Sequence, residues 1–305
     1  MALSAYAERM TNAASSVEHG SNPLFLAFVQ AAISQLRGAY LSRTEPEQAI
    51  FHLAEAWDFL NKAVHSEPVV AVDTTASRSV FCSWMQDQTF IVDTIQLALR
   101  KSGRRHVIGF NLVVSVGRDE SGAVIRIQDP ADQLESLTRF ETEKLEGEEL
   151  LTIAEVIRRN LRLSQQVVSD FRSMNRLVTR CASQLARRDE VEDEQSRKNM
   201  ESAAFLRWLT SDNFIFMGVV GGEKRLGLAH PNVSSLWDTA SIDELLQDTS
   251  DTDLRVRKGR NESVVHRSGQ LDEIRVRVPG KTSDEDSVLV IQGLFTFRAV
   301  TQSSR

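Results

Sequence analysis

The stretch SVFCSWMQDQTFIVDTIQLAL, residues 79–99, changes its period halfway along, and that change decides how the first half of the chain is read. Ser79 to Met85 carries the β-branched and aromatic residues of a strand. Asp87 and Gln88 make a turn. Thr89 to Lys101 then sets Phe90, Ile91, Ile95, Ala98 and Leu99 along one side of a helix that Gly103 ends. Downstream, His106 to Val116 and Ala123 to Gln128 read as strands joined by GRDESG, whose Gly117, Asp119 and Gly122 suit a hairpin. A short strand, Ser136 to Leu145, alternates Leu137, Arg139, Glu141 and Glu143 against Phe140. A helix from about Glu148 to Arg187 follows, with an apolar seam of Ile157, Leu161, Val168, Phe171, Val178 and Leu185. At 1.5 Å per residue it is about 57 Å long, more than one small sheet covers, so it bends or part of it packs elsewhere.

Upstream, residues 1–20 are small and polar and read as frayed at the start, with order beginning near Pro23. From Leu24, the residues Phe25, Phe28, Val29, Ala32, Ile33 and Leu36 recur at helical spacing. A second helix, Glu45 to Val64, starts with Thr44 as N-cap and Pro46 in its first turn, and turns Ile50, Leu53, Trp57, Leu60 and Val64 inward. The two form a helical hairpin, and residues 65–78 connect it to the first strand. Beyond the long helix, the mixed-charge run RRDEVEDEQSRKN (187–199) reads as a solvated linker. FLRWLTSDNFIFMGVV (205–220) then passes from helix to strand and enters a β-rich block. Its strands are Phe214 to Val220, Leu254 to Lys258, Leu271 to Val278 and Val288 to Phe297, with a short helix at Ser241 to Gln247. The fold class is α+β, divided as 1–78 N-terminal helical segment, 79–187 first α+β domain, 188–204 charged linker and 205–305 β-rich domain.

Composition removes several classes of function. With 305 residues, 36 basic and 42 acidic, the formal charge is -6, which gives no general attraction to nucleic acid or to an anionic membrane. No run reaches the roughly 18 to 20 apolar residues that span a bilayer, and the N-terminus has no export-signal pattern. Cys82 and Cys181 supply neither a disulfide framework nor zinc-ligand spacing, so a cytoplasmic setting is expected. The six histidines form no ligand set, both common phosphate-cradling loops are missing, and no nucleophile motif appears. No metal site and no catalytic residues are expected.

Three places carry residues able to bind a ligand. Pairing the strands at 254–258 and 271–278 gathers Arg255, Arg257, Arg275 and Arg277 on one face, suited to an acidic ligand or partner surface. The plainer reading is a solvated sheet face balanced by the acidic run 243–253. His266 and Arg267, between those strands, either complete an anion site or occupy a turn. Asp87, Gln88 and Thr89 precede a helix N-terminus whose N–H groups suit a carboxylate, a position that Asp87 also fills as a simple cap.

Taken in order, four runs resemble the N-terminal, non-catalytic region of the large NAD-dependent glutamate dehydrogenases of bacteria: residues 79–99, FLRWLTSDNFIFMGVV, ESVVHRSGQLDEIRV (262–276) and IQGLFTFRAVTQSSR (291–305). Thr89 stands where the family has proline. The resemblance implies an ACT-like, ferredoxin-like βαββαβ domain with a long second helix, followed by a β-rich PAS-like domain. It implies a regulatory and oligomerisation module whose parent enzyme converts glutamate to 2-oxoglutarate in amino-acid catabolism. NAD is expected only in a downstream catalytic domain, with no cofactor in this chain. The family's chains continue past TQSSR, so these residues correspond to an N-terminal piece or a shortened homologue. The expected partners are further copies of the chain, the downstream catalytic domain and a small metabolite effector, with no nucleic acid and no membrane. The alternative is a stand-alone small-molecule-sensing regulatory protein of ACT/PAS type.

Overall fold

The computed structural model describes residues 3–62, 67–187, 193–250, 252–280 and 286–296. Val64, residues 188–192 of the charged run, Phe297 and the terminal TQSSR lie outside the described residues. Packing divides the chain into Met1–Leu161 and Arg162–Arg305. Each unit is built on its own five-stranded antiparallel sheet.

In the first unit, helices α1 (Leu3–Ala14), α2 (Pro23–Ile33), α3 (Gly38–Leu41) and α4 (Pro46–Lys62) precede the sheet. Then come β1 (Val69–Thr74), β2 (Arg78–Gln86), α5 (Ile91–Lys101), β3 (Ile108–Arg118), β4 (Val124–Ile127), β5 (Gln133–Glu143) and α6 (Gly147–Leu185). The strand order is β1-β2-β5-β3-β4. The inner strands β2 and β5 are buried along most of their length, as strands roofed on both faces must be. On one face, Phe81, Met85 and Phe140 pack with Ile95 and Leu99 of α5 and with Ile153, Ile157 and Leu161 of α6. On the other, Trp84, Phe110, Leu112 and Leu137 pack with Phe25 and Phe28 of α2 and with Leu53 and Trp57 of α4. Burying each such large side chain contributes roughly 2–3 kcal/mol.

Two readings of the sequence change here. The N-terminus is ordered from Leu3: α1 buries Tyr6, Met10 and Ala14 against the helical layer, and three small or medium apolar residues at helical spacing were too weak a signal to stand out. The segment 65–78 holds a strand, β1, which forms a hairpin with β2 from Val69↔Trp84 to Thr74↔Ser79. Thr75 closes that hairpin, donating its N–H to the Arg78 carbonyl at 2.9 Å and accepting the Arg78 N–H on Oγ1 at 3.0 Å. The first domain is therefore not βαββαβ in order. Its sheet edge beside β2 is filled by the preceding strand, so α6 has no strand of this sheet to return to.

The outer side of β3 is closed by a side chain. Gln35, just after α2, donates Nε2 to the Val113 carbonyl and accepts the Val113 N–H on Oε1, both at 2.8 Å. Its amide thus imitates a neighbouring strand at one residue.

The second unit contains the rest of α6, α7 (Glu194–Trp208), β6 (Phe214–Gly221), β7 (Lys224–Gly227), α8 (Ala240–Gln247), β8 (Leu254–Glu262), β9 (Gln270–Val278) and β10 (Ser287–Phe295). The strand order is β7-β6-β10-β9-β8. Here α6 buries Val167, Met174, Val178, Cys181 and Leu185. Ile157, Leu161, Val178 and Leu185 of the expected seam are buried, whereas Val167 and Met174 replace Val168 and Phe171, which is 46% exposed. A 3.6-residue period allows two neighbouring stripes of similar apolarity, and packing chooses between them. Ile242 and Leu245 of α8 cover Val220 and Val290. The joint between α7 and β6 is a turn, Leu209–Asn213, with Asp212 at φ 63°. Asn213 Nδ2 donates to the carbonyls of Trp208 and Ser211, both at 2.9 Å.

Replacing Gln35 by Leu removes both bonds to Val113. A loss of about 1–2 kcal/mol is expected in urea unfolding, with Gln35→Glu, which keeps only an acceptor, falling between. Equal stability of all three proteins would show that the strand edge is satisfied some other way.

Candidate functional site

Of the sequence-derived candidates, Asp87, Gln88 and Thr89 belong to the first unit, and the four arginines, His266 and Arg267 to the second. Asp87 follows β2 and gives its N–H to the Leu134 carbonyl at 2.8 Å. The N-cap position of α5 is Phe90, in left-handed conformation at φ 73°, with no side-chain cap bond, so Asp87 does not cap the helix. Burial raises the Asp87 carboxyl above its ordinary range. Gln88 and Thr89 lie between it and Phe90.

In the second unit, Arg255 pairs directly opposite Arg275, and Arg257 opposite Glu273, so the four arginines share one sheet face. Each has a partner there. Arg255 Nη1 meets Asp248 at 2.9 Å, and Arg277 holds Asp286 through Nε and Nη2 at 2.9 and 2.7 Å. Arg257 Nε donates to the fully buried Glu273 at 3.0 Å, which also accepts the hydroxyl of Ser241 and the amide of Gln292. Arg275 is buried and gives its donors to the carbonyls of Leu245, Asp248 and Thr252, closing the C-terminal end of α8. In the β8–β9 connection, His266 lies at φ 66°, and Arg267 donates to the Phe295 carbonyl at 2.7 Å.

A different constellation, which the sequence reading missed, lies between β5 and the helices of the first unit. Arg139, on β5, is 1% exposed. It donates Nη1 to Glu141 Oε1 and, at 3.0 Å, Nη2 to Glu55 of α4. Its Nε has no hydrogen-bond partner among the described residues. Burial opposes the guanidinium's charge, and the two carboxylates outweigh it. Glu141 continues the chain: His52 Nε2 of α4 lies 3.6 Å from it, and His52 Nδ1 is 2.8 Å from the hydroxyl of Tyr40. Burial first, and Arg139 second, push His52 down to about 4, so its ring is neutral at pH 7. Burial also raises Tyr40 and pushes the thiol of Cys82, which pairs across from Arg139, up to about 12. Signals in the sequence were Arg139-x-Glu141 on one strand face, and a histidine one position from the inward stripe of α4.

His52 and Glu141 form the floor of a cavity of about 330 Å³. Its walls are Arg43, Thr44 and Gln48 from the α3–α4 connection and the start of α4, Thr75, Ser77 and Arg78 from the β1–β2 hairpin, and Val107 and Ile108 at the head of β3. The lining has a cationic rim, a neutral imidazole and a carboxylate already engaged, a set suited to binding and orienting rather than to bond breaking. Among the described residues, no group of three or more His, Cys, Asp or Glu could hold a metal ion. Among them, too, no helix is long and apolar enough to cross a membrane.

A sheet backed by α5 and α6, with this cavity on its other side, is a domain of ACT type: residues 28–157 match the family described as glutamate dehydrogenase, ACT1 domain. The match runs from α2 through the whole first sheet into α6. An NAD-specific glutamate dehydrogenase of Halomonas elongata is 30% identical over 141 residues, which cover 44% of this chain and 9% of that protein. The resemblance to the N-terminal region of the NAD-dependent glutamate dehydrogenases is thus shown, and this chain spans a small fraction of its relative's length.

The buried network yields two predictions. Because His52 is depressed in the folded state, unfolded chains bind its proton first as pH falls. Its contribution is complete above about pH 6.5 and declines toward pH 4, by about 3 kcal/mol. His52→Gln should flatten that part of the stability–pH curve relative to the parent protein, and an unchanged difference between pH 7 and pH 4.5 would refute it. Arg139→Met leaves Glu141 buried without its cation and should cost about 3–5 kcal/mol, whereas Arg139→Met with Glu141→Leu should recover most of the loss. Urea midpoints decide: equal losses in the single and double variants would mean that packing, not charge, dominates.

Proposed function

We propose that the chain is a regulatory and assembly module of an NAD-dependent glutamate dehydrogenase, itself without catalytic residues. The observation that carries this reading is the match of residues 28–157 to the ACT1 domain of glutamate dehydrogenase, on a fold whose cavity is lined for binding. The parent enzyme converts glutamate to 2-oxoglutarate in the cytoplasm, and NAD and glutamate bind in a catalytic domain outside these residues. The module responds to a small metabolite and associates with copies of itself. Association is supported by β1, which among the described residues is an edge strand paired with β2 alone. The second unit is PAS-like in this reading, supported by its five-stranded antiparallel sheet and by α8 inserted between its second and third strands.

Two measurements on the purified chain test the proposal. Sedimentation at high micromolar concentration is expected to show a self-associated species; a monomer throughout removes the assembly role. Assayed with glutamate and NAD, the chain is expected to give no turnover, and measurable 2-oxoglutarate formation would overturn the module reading.

A further inference from the structure

The cavity over His52 and Glu141 holds more cationic donors than its own residues use. A guanidinium presents five N–H donors in a planar fork. Arg43 gives one, Nη1, to the Val107 carbonyl at 3.2 Å. Arg78, at the start of β2, makes no side-chain hydrogen bond or ion pair with a described residue; only its backbone is engaged, by Thr75. Its cross-strand neighbour is Glu143, a position from which an ion pair could form, and none does. Among the described residues the one carboxylate in the lining, Glu141, is held by Arg139 from beneath. Two cations therefore face a half-enclosed space in which, among the described residues, the lining carboxylate is already compensated.

This contrasts with the second unit, where Arg255, Arg257, Arg275 and Arg277 all meet carboxylates or carbonyls of the same unit. There the positive charge is balanced from within. At the cavity it is not, and Arg43, on the α3–α4 connection, and Arg78, at the start of β2, come from two separate segments that a shared ligand would join.

We infer that this cavity binds a small anion, with carboxylate or phosphate oxygens bridging Arg43 and Arg78. Planar forks match both oxyanions, and the volume of about 330 Å³ restricts the ligand to metabolite size. At the inner end, Glu141 accepts hydrogen bonds, so a hydroxyl or other donor a few bonds from the charge fits better than an acceptor. Gln48 and Thr75 offer polar groups along the wall.

The ligand's regulatory meaning rests on the proposed module function, but binding can be read on the chain alone. Isothermal titration of the 305-residue chain with malate, succinate and inorganic phosphate, at ionic strength held constant with sodium chloride, is the test. Saturable one-to-one binding is expected, tighter for malate than for succinate if a carboxylate is the natural anion; saturation by phosphate alone assigns a phosphorylated ligand. Arg43→Gln and Arg78→Gln should each weaken binding about tenfold or more. Arg37→Gln, on an exposed residue outside the lining, should leave it unchanged. Both cavity arginines are at or near the surface, and circular dichroism verifies that the variants fold. Absence of saturable binding for all three probes, or equal affinity in the two cavity variants and the parent chain, would overturn the inference. Failure here leaves the match to the ACT1 domain intact, whereas glutamate turnover by the chain would overturn the module reading without touching a measured affinity.

Discussion

Arg139 sits in the middle of β5 with 1% of its side chain exposed, and its charge constrains how the helical layer can lie on the first sheet. A guanidinium taken out of water needs its carboxylates within reach. Glu141 comes from the same strand, two residues on, and Glu55 comes from α4. The second bond is the informative one, because it ties a helix to the sheet at one register. Such a network adds little over a well-packed apolar equivalent, since desolvation consumes most of the attraction. What it supplies is discrimination: sliding α4 by a turn along the sheet would carry Glu55 away from Arg139 and leave a buried charge short of a partner. His52 and Tyr40 extend the constraint to α3, so that the helices over this face are placed by polar contacts inside an apolar interface. A similar arrangement recurs near the end of α4, where Arg118 holds Glu135 in a fork, lies 4.9 Å over the ring of Trp84 and donates to the Leu60 carbonyl.

Much of the architecture was legible because apolar periodicity reports burial directly. The passage from β2 to α5 appears as a change of period between Met85 and Phe90, and the four longer strands of the second sheet stood out as apolar or alternating segments separated by Gly, Asn, Asp and Pro. The elements that escaped share a physical cause. β1 (VVAVDT) is an edge strand of six residues, and β7 (KRLG) one of four, both too short to establish a period. Among the residues of α1 whose burial is described, Tyr6, Met10 and Ala14 are the buried positions. The order of the first sheet depended on β1, so missing one short strand also misplaced the topology. The stripe of α6 held at Ile157, Leu161, Val178 and Leu185 and missed at Val168 and Phe171: Val167 and Val168 both satisfy a helical seam, and only the partner surface decides which one is buried.

Sites were less legible than elements, because a site is made by residues distant in sequence. The arginines of β8 and β9 were correctly placed on one face by alternation, but what they meet was hidden. Glu273 lies on β9 itself, Asp248 after α8 and Asp286 just before β10, and their approach follows from pairing of strands and the docking of α8. Arg139 and Glu141 were read as positions of a strand that alternate against Phe140, with nothing in the alternation to say which face is covered. The helical layer turns that face inward, and the same alternation becomes a buried ion network. Composition cannot distinguish the two cases; it takes a second layer to do so.

The difference between spent and unspent guanidiniums gives the cavity its significance. A surface arginine without a partner is ordinary, since water serves it well. Arg78 differs in its setting: it is half-buried, its strand neighbour Glu143 is within one register step, and the pair is not made. Arg43, across the cavity, is carried on the short connection between α3 and α4, whose position is fixed by Tyr40 and His52 below. The buried network therefore does two things at once. It holds the loop that presents Arg43, and it keeps Glu141 compensated so that the carboxylate does not cancel the rim's positive charge. Removing Arg139 would disturb both, through the geometry of the floor and through the potential above it, whereas changes at Arg43 or Arg78 act on the rim alone. That separation lets the stability of this face and its affinity for an anion be measured independently.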